Sequence, residues 1–185
     1  MSKKTILFVI GSLRKDSFNR QLAKKAEEYL GSRAEVRYLE YGDIPYMNQD
    51  IEFPVPPAIL RVRKEVEAAD AVWIFTAEYN YNIPGVLKNL LDWLSRPLAV
   101  GDPQRVTAVT GKPVTISGAG GKGMTASVRR HLDALLPFMK MKLMKEGETG
   151  IAVPAEAWSS NVLTLSEEQQ AALKKQAEDF LSFLS

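Results

Sequence analysis

The chain has 185 residues, of which 45% are hydrophobic, so it is long enough for one full-sized core and short for two. Its 24 basic and 22 acidic residues leave a net charge of +2, which argues against a dedicated nucleic-acid-binding protein. It has no cysteine and one histidine, which excludes disulfides, iron–sulfur clusters, thiolate chemistry and histidine-rich metal sites.

The single histidine and the start of the chain suggest no further chemistry. His131 lies in the helix-like run SVRRHLDALL, where packing or solvent exposure is a more ordinary role than catalysis. The first residues lead directly into a strand without a cleavable apolar segment, and no apolar run reaches the length of a membrane span. We therefore expect a cytoplasmic protein with one domain over residues 1–185 and no membrane partner.

The first half of the chain alternates between strand and helix patterns. Residues 5–10, TILFVI, form a continuous apolar run that is typical of a strand covered on both faces. A helix is predicted from residue 17 or 18 to about Gly31, followed by a second strand over residues 34–41. After a proline-rich loop, a short helix is predicted to begin near Pro57.

The second half continues this alternation. Residues 71–75, AVWIF, predict a third buried strand, and Pro84 suits the first turn of the next helix. The connection over residues 95–112 is long, which predicts that it lies over a functional face. A fourth strand (residues 113–117), a glycine loop (118–123) and a helix (124–136) follow. The last elements are a weaker fifth strand (139–145, with a possible continuation at 151–153) and a helix that begins at residue 166 with a capping box.

Strands and helices alternate about five times along the chain. This pattern predicts one α/β domain with a parallel sheet and helices on both of its faces. Ligands of such sheets bind beyond the carboxyl ends of the strands, where the strand order reverses. The loops after the first, third and fourth strands are therefore the candidate site.

The first of these loops is GSLRKDSFNR, residues 11–20. Ser12, Ser17 and Asn19 offer hydrogen-bonding side chains, and Arg14 and Arg20 offer positive charge. The start of the following helix adds free N–H groups and the positive end of a dipole. This density of donors favours a bound phosphate, although Ser17 could equally be only a helix cap and Arg14 a solvated loop residue.

The second loop is TAEYNYNIPG, residues 76–85. Tyr79 can stack on a planar ring, while Glu78 and Asn80 can meet its polar edge. The alternative is a polar turn that ends at Pro84, with the tyrosines packed on the surface.

The third loop is SGAGGKG, residues 117–123, with the spacing G-x-G-x-x-G at Gly118, Gly120 and Gly123. A Rossmann dinucleotide site is one interpretation, but too little chain follows for the second half of that fold. The preferred interpretation is a glycine turn that lets backbone amides approach a flat heterocycle closely.

With these loops placed, the chain resembles the flavodoxin-like NAD(P)H-dependent flavin mononucleotide (FMN) reductases, which include quinone, azo-dye and chromate reductases. The matching segments are GSLRKDSFNR, IPYMNQD, AEYNYNIPGVLKNLLDWLSR and PVTISGAGG, and the similarity spans almost the whole chain. The resemblance implies a doubly wound five-stranded parallel sheet of order 2-1-3-4-5. It also implies bound FMN, with NADPH or NADH as the hydride donor.

The same resemblance implies roles for individual residues. Arg14, Ser17 and Asn19 would hold the FMN phosphate, together with backbone amides around Ser12 and Phe18. The flavin ring would lie between the second and third loops, with Tyr79 against it. The residues bordering it would be Ala77, Glu78, Tyr79, Asn80, Ser117, Gly118, Gly120 and Gly121.

The expected activity is hydride transfer from NAD(P)H to the flavin and then to a quinone, an azo compound or another small-molecule acceptor. No catalytic side chain is assigned, because the flavin carries this chemistry. The alternatives are a flavodoxin-type electron carrier, which the basic charge and Arg14 disfavour, and a non-catalytic flavin-binding regulatory protein. The family implies a homodimer or homotetramer, and Trp93 could pack either at that interface or in the core.

Overall fold

The computed structural model describes residues 3–185. The strands are β1 (Lys4–Gly11), β2 (Ala34–Tyr38), β3 (Ala71–Thr76), β4 (Pro113–Gly120), β5 (Lys142–Leu143) and β6 (Thr149–Ala152). The helices are α1 (Phe18–Leu30), α2 (Pro57–Ala68), α3 (Gly85–Leu94), α4 (Ala126–Phe138), α5 (Ala157–Ser160) and α6 (Glu167–Phe183).

All strand pairs of the sheet are parallel, in the order β2-β1-β3-β4-β5, with β6 also paired to β4. This confirms the predicted order and changes one detail, because the fifth strand is divided into two pieces along β4. β5 pairs with the start of β4, where Pro113 is opposite Lys142, and β6 pairs with its end, where Ser117 is opposite Thr149. Between them the chain leaves the ladder through a turn with Gly147 at φ 82°.

Residues 6–10 of β1 and 71–75 of β3 are apolar without interruption because helices cover both faces of the sheet. In β1, Leu7 and Val9 pack with α2, α3 and α4, whereas Ile6, Phe8 and Ile10 pack with α1 and α6. Each strand thus presents alternate side chains to opposite cores. This arrangement leaves the carboxyl ends of β1, β3 and β4 side by side at one edge.

The end of the long connection over residues 95–112 lies at the other edge, so this part does not cover the candidate loops as the sequence predicts. Lys112 donates from Nζ to the carbonyl oxygen of Glu67 (3.2 Å), at the end of α2. The Gly111 N–H donates to the carbonyl oxygen of Lys140 (2.7 Å), just after α4. Both helices end where the strands begin, far along the strands from the candidate loops.

The structure shows the locations of Trp93 and His131, the two residues whose surroundings the sequence did not determine. Trp93 is fully buried, and its indole Nε1–H donates to the carbonyl oxygen of Pro45 (2.8 Å), so it packs in the core. His131 is exposed on α4. Within residues 3–185, none of the helices combines the length and the apolar character that crossing a bilayer requires.

Candidate functional site

The loops after β1, β3 and β4 meet around a small cleft at the carboxyl edge of the sheet. Its cavity volume is about 100 Å³, well below the volume of pockets that enclose a whole drug-sized ligand. The cleft can therefore enclose one end of a larger molecule and leave the rest open. Its lining residues are Ser12, Arg14, Ser17, Phe18, Asn19, Ala77, Glu78, Tyr79, Ala119, Gly120, Gly121 and Trp158.

The start of α1 presents hydrogen-bond donors with no acidic residue in the first turn of the helix. Ser17 is the N-cap of α1, as expected, but its side chain makes no capping hydrogen bond. The first turn of α1 contains no acidic residue, and its N–H groups have no acceptor within the helix. The hydroxyl of Ser17 and these amides are therefore available to an anion at the positive end of the helix dipole.

Arg14 is held at the same end of the cleft. Its guanidinium lies over the Phe18 ring, with the central carbon 4.7 Å from the ring centroid. Its Nη1 donates to Oδ1 of Asn161 (2.8 Å), and its backbone N–H donates to Oγ of Ser12 (3.4 Å). A fixed guanidinium thus lies beside the free donors of α1.

The amide of Asn19 joins two of the loops. Its Nδ2 donates to the carbonyl oxygen of Ala119 (3.0 Å), and its Oδ1 accepts from the Ala119 N–H (2.8 Å). The side chain is buried, and this pair of bonds fixes the start of α1 against the end of β4. Its geometry supports a positioning role more than the direct phosphate contact that the sequence predicts.

The second loop is a tight hairpin-like turn. Asn80 and Tyr81 both have positive φ angles, 53° and 62°, and Tyr79 and Asn82 exchange backbone hydrogen bonds on either side of them. Asn80 is therefore at the tip of the turn and outside the cleft, whereas Tyr79 borders the cleft with 54% of its surface exposed.

Glu78 connects this loop to the helix on the far side of the cleft. Its Oε2 accepts from the backbone N–H of Val128 (2.9 Å), in the first turn of α4. The carboxylate thus satisfies a free donor at the positive end of that helix. It also joins the second loop to the helix that follows the third loop.

The third loop begins later than expected. β4 continues to Gly120, so the prediction of a glycine turn at Gly118 and Gly120 is wrong. A Cβ at Gly118 would lie 2.8 Å from the carbonyl oxygen of Thr76, and one at Gly120 would lie 2.9 Å from Cγ2 of Thr125. These glycines leave room for the packing of Thr125 against the sheet. Together with the strand order, this packing excludes the Rossmann interpretation.

Ser117 is also outside the cleft, which corrects its predicted contact with a ligand. It is fully buried, where Oγ accepts from Nε1 of Trp73 (3.0 Å) and donates to Oε1 of Gln176 (2.8 Å). The proton of this hydroxyl and one of its lone pairs are therefore used within the core.

Two functional candidates were missed in the sequence. Trp158 lines the cleft, with its ring edge-on to Phe18 at a centroid distance of 5.1 Å, and Asn161 contacts Arg14. Both follow β6, about 140 positions after the residues they contact. No local pattern marks them, apart from an aromatic residue in an otherwise polar segment.

Comparison with known proteins identifies the ligand class. The family model described as NADPH-dependent FMN reductase matches residues 5–154, which is most of the chain. The chain belongs to this family. This FMN reductase is therefore an oxidoreductase that uses FMN, with NAD(P)H as its electron donor.

Individual relatives agree with this assignment. A quinone reductase of Pseudomonas putida is 38% identical over 144 residues, which cover 74% of both chains. An NAD(P)H-dependent FMN reductase of Pseudomonas aeruginosa is 31% identical and covers 94% of this chain and 91% of its own. The structure of FerB, a flavoenzyme NAD(P)H:(acceptor) oxidoreductase from Paracoccus denitrificans, superposes with a TM-score of 0.85 at 31% identity, covering 98% of this chain and 97% of FerB.

The fold is also that of the flavodoxins. A streptococcal flavodoxin superposes on 97% of the FMN reductase chain with a TM-score of 0.60 at 15% identity, which shows a shared fold alone. The donors at the start of α1 fit a dianionic phosphate, because they combine a guanidinium, a free hydroxyl and helix amides with no acidic residue in the first turn.

Proposed function

We propose that this FMN reductase holds the phosphate of FMN at the start of α1 and reduces quinone-type acceptors. The observation that carries the proposal is the free capping position: Ser17 and the first amides of α1 lie beside Arg14 without an acidic partner. Such a set of donors is suited to phosphate, and a helix N-terminus stabilises its negative charge.

The remaining cleft residues position the ring. Tyr79 offers an aromatic face, and Gly120 and Gly121 expose backbone at the opposite side of the cleft. When bound, FMN supplies hydride transfer between NAD(P)H and the acceptor. The side chains bind and orient it, so no acid or base is required from them.

The size of the cavity supports a broad choice of acceptors. A cleft of about 100 Å³ would enclose only the phosphate end of FMN, so the rest of the cofactor would stay accessible. Flat acceptors such as quinones and azo compounds can then approach the exposed face. A cytoplasmic location, where NAD(P)H is available, remains our expectation.

The purified protein, loaded with FMN, is expected to be yellow and to be bleached by NADPH or NADH without oxygen. Addition of a benzoquinone should restore the colour, because quinones are the acceptors that we propose for this enzyme. Absorbance near the flavin maximum measures both steps. A protein that binds FMN but is not reduced directly at a useful rate by either nucleotide would be a carrier, and one that binds FMN tightly with negligible turnover would have a regulatory role.

We also propose that the enzyme is a homodimer or homotetramer. Large apolar side chains are exposed in the loops around the cleft, with Leu13 57% and Tyr81 77% accessible. Large apolar and aromatic side chains that are exposed beside a site are common at interfaces. Light scattering is expected to give two or four times the mass of one chain, and a single-chain mass at micromolar concentration would contradict this.

A further inference from the structure

The segment over residues 157–163 lies beyond the part of the chain that the family model matches, yet it contacts the phosphate end of the cleft. Three hydrogen bonds join it to the first loop and α1. Oδ1 of Asn161 accepts from Nη1 of Arg14 (2.8 Å), and the carbonyl oxygen of Asn161 accepts from Nε2 of Gln21 (2.9 Å). Oε1 of Gln21 in turn accepts from the N–H of Leu163 (2.8 Å).

The same segment supports Arg14 through an aromatic pair. The guanidinium of Arg14 lies over the Phe18 ring, and Trp158 packs edge-on against that ring. Arg14 is therefore fixed by the oxygen of Asn161 and by the face of Phe18. An arginine has five N–H donors, so one bond to Asn161 leaves others for a second acceptor.

The acceptor that Asn161 offers to Arg14 is uncharged. An amide oxygen accepts a hydrogen bond without carrying a negative charge, so Asn161 orients the guanidinium without neutralising it. A carboxylate at the same place would form an ion pair with Arg14 and repel a phosphate. The contact thus fixes the side chain while its full positive charge remains available.

The backbone of Asn161 is also unusual. Its φ and ψ angles are 58° and 20°, in the left-handed region, where asparagine is tolerated better than most side chains. Immobilising a long side chain before the ligand arrives removes part of the entropy cost of binding.

We propose that Asn161 is a positioning residue that preorganises Arg14 for the phosphate of FMN. This inference rests on the proposed phosphate site at the start of α1. It assigns a role in cofactor binding to a segment outside the matched family region.

The test uses an Asn161→Gly variant, because glycine adopts the same backbone angles and removes only the acceptor. The dissociation constants of the apoprotein for FMN and for riboflavin are measured by quenching of flavin fluorescence. We expect the constant for FMN to rise about 3- to 10-fold, in line with the ordering cost of one long side chain. The constant for riboflavin, which has no phosphate, should stay within twofold.

Two further variants control the result. Ser159→Gly introduces glycine into the same segment at an exposed residue whose hydroxyl contacts only the carbonyl oxygen of Glu156, and it should leave both constants unchanged. Asn161→Asp keeps an acceptor but adds a charge that opposes the phosphate. At low salt it should weaken FMN binding more than Asn161→Gly does, and tighter binding by this variant would overturn the proposal.

An Arg14→Ala background separates this inference from the proposed function. If Asn161 acts through Arg14, adding Asn161→Gly to Arg14→Ala should change the constant for FMN less than twofold. If Arg14→Ala weakens FMN binding and Asn161→Gly alone does not, the positioning role is wrong and the phosphate site stands. If Arg14→Ala itself has no effect, the phosphate site is wrong. An equal loss for FMN and riboflavin would show a general structural effect and overturn the proposal.

Discussion

A double variant with Arg14→Ala and Ser17→Ala is expected to bind FMN about 100-fold more weakly than the unchanged enzyme, or worse. The two substitutions remove the guanidinium of Arg14 and the hydroxyl of Ser17, and this hydroxyl makes no capping hydrogen bond with α1. Hydrogen bonds to a charged group contribute about 1.5–3 kcal/mol each, and about 1.4 kcal/mol corresponds to a factor of ten in affinity. The amides of α1 remain, so some binding should persist. Titration of the apoprotein with FMN measures the change.

The control for this experiment is Arg20→Ala, which removes the same charge from the same sequence segment. Arg20 points away from the cleft, with Nη2 3.4 Å from Oε1 of Glu40 and its guanidinium 5.8 Å from the Tyr38 ring. Its loss should change FMN affinity less than threefold. The melting temperature of the double variant should be close to that of the parent, since Ser17 makes no capping bond. Unchanged FMN affinity in the double variant would mean that the phosphate binds elsewhere.

The sheet could be predicted because its strands obey a simple physical rule. A parallel strand covered on both faces has no polar side, so runs such as residues 5–10 and 71–75 are apolar without interruption. The loops after them contain the polar residues that a ligand needs, and parallel geometry brings those loops together. For this reason the pattern places the loops of Arg14, Ser17 and Tyr79 at one edge of the sheet, while the family resemblance implies the role of each residue there.

The end of β4 was misplaced for an equally physical reason. A run of serine, glycine and alanine has the composition of a turn. Here the small residues continue the strand, because Thr125 packs where a side chain at Gly118 would lie. Ser117 is buried under Trp73 and Gln176, which are 44 and 59 positions away in the chain. Local sequence contains no signal of such distant partners.

The contact between Arg14 and Asn161 could not be predicted from the sequence for the same reason, the distance between its partners along the chain. The two residues are 147 positions apart, and the short helix α5 has no strong periodicity of its own. Only the folded sheet brings the chain after β6 back over the start of α1. Function-determining contacts of this type depend on topology, so they become visible once the strand order is known.

A Gln176→Leu variant is expected to lose about 3–5 kcal/mol of its free energy of unfolding. The Gln176 side chain is fully buried on α6 and uses all of its hydrogen-bonding groups. Nε2 donates to Oγ1 of Thr115 (2.9 Å) and to the carbonyl oxygen of Ile116 (2.8 Å). Oε1 accepts from Oγ of Ser117 (2.8 Å) and from the N–H of Thr149 (3.0 Å).

The expected loss is large because leucine has a similar size but leaves several buried polar groups without a partner. Each such group costs about 1–3 kcal/mol, and the total lowers the melting temperature of a chain of this length by roughly 6–20 °C. Lys174→Leu is the control, since Lys174 is exposed on the same helix and its replacement should change stability by no more than about 0.5 kcal/mol. Thermal unfolding of both apoproteins gives the comparison. Equal melting temperatures would mean that water replaces the amide of Gln176. The expected difference would show that this single side chain joins α6 to β4 and β6 directly beneath the cleft.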